Sequence, residues 1–387
     1  MKSPTFIELN KNALAQNVKY LKKRIGKAKF VSVIKGNAYG HGIEYYLPLA
    51  EECGIDSFAV SDAAEAERAY NVKKESSDLM IMNMIDNSDI RDAIEMDISY
   101  FVYNFDRLNK SIDVARKLKR KAKIHLELET GLNRTGFSQN EIDRVIKIIT
   151  KSNEFLDVIG ICTHYAGAES IANYYRIQKQ IALFNDLKEI LSKNGIKPKH
   201  YHTACSAAAL TYEETIMDMV RFGIAQYGFW PSNETRMYNM LSDEEKFTYD
   251  PLARILTWKS KVISLKDVKA GKFIGYGNNY IANTDVKVAL IPVGYYHGYS
   301  RNLSNLGHVL IGGQKAPIVG MVNMNAIMCD VTLIPGVKID DEVVIIGKQG
   351  DQLITVTSFS DLANSVNYEM LVRLPYEIPR IITENSD

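Results

Sequence analysis

Eight short apolar, β-branched runs recur between residues 29 and 224, each followed by longer charged, amphipathic text, and this alternation constrains the fold more than any other feature. The runs are KFVSVI (29–34), SFAV (57–60), DLMIMNM (78–84), SYFVY (99–103), KIHLEL (123–128), DVIGIC (157–162), PKHYHT (198–203) and MVRFGI (219–224). Between them lies helical text such as SDAAEAERAY and YYRIQKQIALFNDLKEILSKNG. Strands alternating with helices build a parallel sheet with crossover helices. Eight strands within about 200 residues suit a closed (β/α)8, TIM-like barrel better than an open α/β sheet.

After Trp230 the texture changes. A polar stretch, SNETRMYNMLSDEEKFTYD, leads into text rich in Val, Ile and Gly, where VISLKDVKAGKFIGYG, KVALIPVGY, HVLIGGQKAPIVG and DEVVIIGK read as strands of a mostly-β domain. Gly312-Gly313 reads as a tight hairpin turn, and SFSDLANSVNYEML as the one clear helix. The expected division is residues 1–240 for the barrel and 241–387 for the C-terminal β domain.

With 47 Lys plus Arg against 46 Asp plus Glu, the net charge is +1, and the chain has no electrostatic reason to seek nucleic acid or an anionic membrane. The basic clusters at 19–29 and 116–123 end predicted helices and read as solvated faces complementing the helix dipole. The four cysteines (Cys53, Cys162, Cys205, Cys329) show neither CxxC nor zinc-like spacing, which suggests free thiols in a reducing compartment. MKSPTFIELN lacks the h-region of a signal peptide and no run is long enough to span a bilayer. These features predict a cytoplasmic protein with a small-molecule partner and no metal.

A (β/α)8 barrel carries its active site at the C-terminal ends of the strands. Lys35 directly follows FVSVI and precedes the glycine-rich GNAYGHG. An amine emerging from a buried strand should lose basicity and become a nucleophile toward an aldehyde. Position alone leaves that role level with a lysine reaching from the rim to solvent. Ser206, in HTACSAAA, stands where a strand meets an Ala-rich helix start; a serine there is usually an N-cap, yet it also suits a phosphate. Gly223 and Ile224 end the last run, and the loops after strands 7 and 8 are the usual phosphate site of this fold. A strand-1 lysine with two phosphate signals on late strands points to pyridoxal 5'-phosphate.

These residues carry a resemblance. VSVIKGNAYGHG, THYAGAES, HTACSAAA, MVRFGIAQYG, GYGNNY, IPVGYYHGYSRNLSNLGHVLI, GMVNMNAIMCDVT and VNYEM occur in the order found in the alanine racemase family, which the whole chain resembles. The resemblance implies a pyridoxal-phosphate enzyme that interconverts L- and D-alanine for peptidoglycan synthesis. Lys35 would bear the cofactor and act as one base, and Tyr276, in GYGNNY, as the other. Racemisation removes a proton from one side of Cα and returns one to the other, so two acid/base groups must flank it. Tyrosine ordinarily titrates near pH 10 and would need help from around His164 and Arg221. Arg221 would face the pyridine nitrogen, supported by His202, and a guanidinium does not surrender its proton there. Tyr39, Ser206, Gly223, Ile224 and Tyr368 would hold the phosphate; alone, Tyr368 on an amphipathic helix reads as core. Arg134 would hold the substrate carboxylate or the phenolic oxygen near it, with Tyr295 and Met324 completing the pocket. In the family Tyr276, Tyr295 and Met324 reach the other subunit's barrel, so a homodimer with composite sites is implied.

The chain also departs from the family's pattern. Glu127 stands where a lysine, carbamylated in many members, is common, and Glu129 where an aspartate is. Asn325 and His297 replace aspartates, and Cys205 an asparagine. Loss of acidic groups argues against a cationic substrate, whereas serine stays an alternative to alanine. A decarboxylase of basic amino acids on a similar barrel would need an acidic partner for the pyridine nitrogen, where this chain has Arg221. A non-catalytic pyridoxal-phosphate carrier would need no β domain bearing Tyr276.

Overall fold

The computed structural model describes residues 3–242, 250–363 and 367–384. Contacts gather them into two compact units: Leu14–Gly36 with Leu47–Ala253, and the residues up to Ala13 with Asn37–Tyr46 and those from Arg254 onward. The division is therefore not a single cut near residue 240, because the first strand, β1 (Phe6–Asn10), belongs to the second unit.

In the first unit all eight expected runs are strands: β2 (Lys29–Val33), β3 (Ser57–Asp62), β4 (Asp78–Met84), β5 (Ser99–Val102), β6 (Ala122–Glu127), β7 (Leu156–Cys162), β8 (His200–His202) and β9 (Met219–Phe222). They pair in parallel in the order β8-β7-β6-β5-β4-β3-β2-β9. The gap between β8 and β9 is bridged at Cys205↔Arg221, where the Arg221 amide donates to the Ala204 carbonyl at 3.1 Å. Helices return the chain between strands and cover the outer face, while the inner face closes on itself, so both faces are buried and the strands can read as nearly continuous apolar runs. Part of the polar stretch after Trp230 forms a helix, Asn233–Ser242; residues 243–249 of that stretch lie outside the described residues.

In the second unit, β1 pairs antiparallel with β10 (Leu256–Lys261) and parallel with β18 (Arg380–Thr383). Trp258, fully buried on β10, donates from its indole Nε1 to Thr5 Oγ1 at 2.9 Å, and the Thr5 hydroxyl donates to the Lys259 carbonyl at 3.0 Å. β11 (Ser264–Val268), β12 (Val286–Ile291) and β15 (Ile327–Asp330) form a separate sheet, while β13 (His308–Ile311), β14 (Gln314–Pro317), β16 (Glu342–Gln349) and β17 (Gln352–Ile354) extend the first. Gly312 and Gly313, at φ +57° and +74°, close the expected hairpin with Ile311 opposite Gln314. The expected single helix is described as Val356–Ala363 and Asn367–Val372, with 364–366 outside the described residues.

The backbone after Lys35 is left-handed. Gly36, Asn37, Ala38, Tyr39 and Gly40 have φ of +62°, +55°, +53°, +50° and +80°, a conformation costing an L-residue with a Cβ about 1 kcal/mol or more. Within the second unit, the Arg380 guanidinium donates to the Gly40 carbonyl at 2.8 Å, and a Cβ on Gly40 would lie 1.9 Å from the Leu371 carbonyl oxygen. Gly40→Ala should lower stability by about 3 kcal/mol, measurable as a lower denaturation midpoint; an unchanged midpoint would count against this packing.

Candidate active site

Lys35 lies two residues past the end of β2, a strand that runs beside β9 with Val31 opposite Arg221. Its side chain is accessible, yet its amine lies among enough protein atoms that desolvation is the first cause lowering its pKa, with the Arg134 charge second. That favours the neutral amine expected at this position. Glu65 and Cys205 pull the other way.

Arg221 is the best-anchored side chain of the site. It is 4% exposed, and its terminal nitrogens donate to the carbonyls of His202 (2.7 Å), Thr163 (2.9 Å) and Thr203 (3.3 Å) and to His202 Nδ1. Four N–H groups thus meet four acceptors. The fifth donor, Nε–H, makes no hydrogen bond among the described residues and is left for an acceptor that is not protein. A pyridine nitrogen without a proton is such an acceptor. His164 stands among Arg221, Arg134 and Lys35; desolvation first, and then these three charges, lower its pKa to about 3. It is therefore a neutral ring at physiological pH.

Ser206, buried at the start of the helix Ser206–Thr211, accepts at Oγ from the Gly223 amide at 3.0 Å. The Ser206 hydroxyl proton, left free by that bond, and the backbone at Gly223 and Ile224 are thus held together where the β9 strand ends, a placement that suits an oxyanion, while the Gly223 amide itself is engaged by Ser206. This donor set and the free Nε–H of Arg221 fit pyridoxal 5'-phosphate at both of its ends.

The 129–137 loop folds back on β6: Phe137 donates to the Glu127 carbonyl at 2.9 Å and Glu129 to that of Phe137 at 3.0 Å. A Cβ on Gly136 would lie 2.5 Å from the Glu129 nitrogen, so this crossing requires glycine. The loop carries exposed Arg134, whose amide donates to Glu129 Oε2 at 3.3 Å. It also brings the Thr135 hydroxyl 2.8 Å from Glu127 Oε2. Burial pushes the Glu127 pKa up, while Thr135, Arg134 and Arg221 oppose the shift.

In the second unit, Tyr39 and Tyr368 face each other with ring centroids 6.1 Å apart. Tyr368 is 38% exposed, not the core residue its helix suggests. Tyr295 and Met324 are brought together by backbone: the Tyr295 amide donates to the Asn323 carbonyl at 3.0 Å and the Tyr296 amide to that of Met324 at 2.9 Å. Gly294 permits this, since a Cβ there would sit 2.2 Å from the Asn323 oxygen. Tyr276, Tyr295 and Met324 are 73%, 45% and 56% exposed in the single chain. His297 turns inward to its own loop, its Nδ1 accepting from the Gly294 amide at 3.2 Å.

Two residues with large roles escape the sequence reading. Gln226, fully buried, donates from Nε2 to the carbonyls of Val33 (3.0 Å) and Phe222 (2.8 Å) and accepts from the Ser32 hydroxyl at 2.7 Å. It fixes the β2 end that presents Lys35 against the β9 end that presents Gly223. His125, inside the apolar run of β6, contacts His202 at 2.9 Å. In both cases the only signal is a polar residue where an apolar one is expected.

Among the described residues no group of three or more His, Cys, Asp or Glu side chains could hold a metal ion, and no helix is long and apolar enough to cross a membrane. Models of the alanine racemase N-terminal and C-terminal domains match residues 9–231 and 255–382. The alanine racemase of Leptospira interrogans is 32% identical over 381 residues, spanning 98% of this chain and 96% of that one. A crystal structure of alanine racemase from Bacillus anthracis with bound L-Ala-P superposes with a TM-score of 0.89 at 29% identity, covering all of this chain and 96% of that one. Alanine racemase from Bartonella henselae with covalently bound pyridoxal phosphate shares the fold, at 23% identity, TM-score 0.82 and 98% and 99% coverage. The strand-end lysine, the anchored guanidinium and these full-length matches converge, and the chain belongs to the alanine racemase family.

Proposed function

We propose that the chain is a cytoplasmic, homodimeric racemase that interconverts L- and D-alanine with pyridoxal 5'-phosphate and so supplies D-alanine for peptidoglycan. The observation that carries the cofactor assignment is the pairing, on adjacent strands, of an amine of lowered basicity at Lys35 with a buried guanidinium whose Nε–H alone lacks an acceptor. When bound, the cofactor supplies an aldehyde for the amine and a ring that withdraws electrons from the substrate Cα. Ser206, Gly223 and Ile224, with Tyr39 and Tyr368, would hold its phosphate, and Arg221 would donate to the ring nitrogen without transferring a proton, which would temper that withdrawal and disfavour transamination. His202 supports Arg221, and His164 lies beside it as a neutral hydrogen-bonding group.

Lys35 Nζ takes or returns the Cα proton on one face and Tyr276 Oη on the other. Arg134 holds the substrate carboxylate by two parallel hydrogen bonds, a geometry that suits guanidinium. Tyr295 and the Met324 amide close the pocket. The high exposure of Tyr276, Tyr295 and Met324 in one chain fits residues that complete a partner's site.

The deciding experiment incubates the purified protein, loaded with pyridoxal 5'-phosphate, with a panel of L-amino acids in deuterium oxide, following optical rotation and Cα deuterium. Inversion of alanine with deuterium gained at Cα is expected. Preference for serine would correct the substrate, and exchange without inversion would remove the two-base scheme. No exchange with any amino acid would favour a non-catalytic carrier.

Glu127 supplies a carboxylate beside Arg134 without carbon dioxide chemistry. A Glu127→Lys variant should regain full turnover only with added bicarbonate, with turnover differing roughly tenfold between the two conditions. Equal rates with and without bicarbonate would count against this role.

A further inference from the structure

We propose that His125 and Ser99 are positioning residues that lock His202 in a single tautomer and thereby aim Arg221, an assignment that rests on the racemase reading above. A guanidinium only donates, so His202 Nδ1, which meets an Arg221 terminal N–H, must be the bare nitrogen of its ring. The proton of neutral His202 then lies on Nε2, which faces His125 Nδ1 at 2.9 Å. His125 Nδ1 must therefore accept, which places its own proton on Nε2, 3.2 Å from Ser99 Oγ. The Ser99 hydroxyl in turn donates to the Leu79 carbonyl at 3.3 Å. One polarity thus runs from Arg221 on β9 through β8, β6 and β5 to a backbone oxygen of β4.

The barrel is built around this file of rings. His202 and His125 are 0% and 1% exposed, and Phe101 packs against both, with centroid distances of 5.8 and 5.7 Å. On β7, between the two histidine strands, stands Gly160. A Cβ there would lie 2.2 Å from His125 Nδ1 and 2.7 Å from His202 Nε2, so only glycine leaves the pair in contact. Burial, and then the charge of Arg221, disfavour a second proton on either ring. With both rings neutral, one wrong tautomer would oppose N–H to N–H at Arg221 and tilt the guanidinium. An apolar residue at 125 would remove the acceptor of His202 Nε2–H and leave the Arg221 contact as the remaining restraint on the tautomer, so that error becomes less costly.

The test is a long-range proton–nitrogen NMR experiment on the loaded, full-length protein with 15N-labelled histidine, its seven histidines assigned by single substitutions. His202 and His125 should both appear as neutral Nε2–H tautomers between about pH 6 and 9. A proton on His202 Nδ1, or a doubly protonated ring, overturns the proposal. In His125→Phe, which keeps the ring's bulk, His202 should show mixed tautomers and kcat should fall roughly tenfold with KM little changed. His125→Gln, whose amide oxygen can accept, should restore the single tautomer and most of the rate. A single Nε2–H tautomer and unchanged kcat in His125→Phe would reduce His125 to a space-filler and overturn the proposal. Should that variant not fold, Ser99→Ala decides: the His125 Nε2 resonance should move and kcat drop about threefold, and an unmoved resonance overturns the relay. Since the tautomers are read without substrate, an intact pattern in a chain that racemises nothing supports the relay and refutes the racemase reading instead.

Discussion

Tyr276→Phe should slow racemisation by on the order of 10³-fold, the usual worth of one positioned acid/base group, while pyridoxal phosphate still becomes fixed to Lys35 under borohydride. The change removes a single oxygen from a side chain 73% exposed in the single chain, so stability should shift by no more than about 0.5 kcal/mol. The lost rate can then be assigned to chemistry. Because only one face of Cα would lose its base, the variant should also become asymmetric. One enantiomer of alanine should still exchange its Cα hydrogen with deuterium oxide at a rate far above its inversion, whereas the other should do neither. Equal loss of exchange from both enantiomers would argue that Tyr276 shapes the pocket and carries no proton.

Lys35→Ala should have the larger effect, a fall of about 10⁴-fold or more, because in the proposed mechanism it removes both a nucleophile and a base whose contributions cannot be replaced independently. Mass spectrometry after borohydride treatment should find no pyridoxyl group on any other lysine. Folding should survive. The side chain is accessible, and its removal takes away an amine whose positive charge is disfavoured first by desolvation and then by Arg134 and Arg221. Retention of more than a few per cent of wild-type turnover would remove Lys35 from the mechanism.

The barrel was legible because its strands are covered on both faces and pair with their neighbours in sequence, so each leaves a local, continuous apolar signature. β1 is different. FIELN makes a strand only through β10 and β18, each more than 240 residues away in the chain, and no local pattern records such a partnership. Residues 233–242 read as a polar stretch, yet form a helix with Thr235 and Asn239 buried. Of the site, Lys35 and the strand-end residues stood out because the fold dictates where to look. The roles of Arg221, Arg134 and Tyr276 came through resemblance to a family. His125 and Gln226 could be valued only once β6, β7 and β8, or β2 and β9, lay side by side, since each acts through a neighbour on another strand.

The glycines of GNAYGHG explain two of the five left-handed residues after Lys35; Asn37, Ala38 and Tyr39 adopt the same hand with side chains that resist it. For a residue of mirror-image configuration that conformation is the relaxed one, since the clash between Cβ and the following carbonyl changes sides with chirality. The peptide link from Lys35 to Tyr39 is thus a short tract in which the backbone asks for D-amino acids and receives L. In a family named for making D-alanine, the residue at 38 is an alanine of the hand that this stretch of chain accommodates least well.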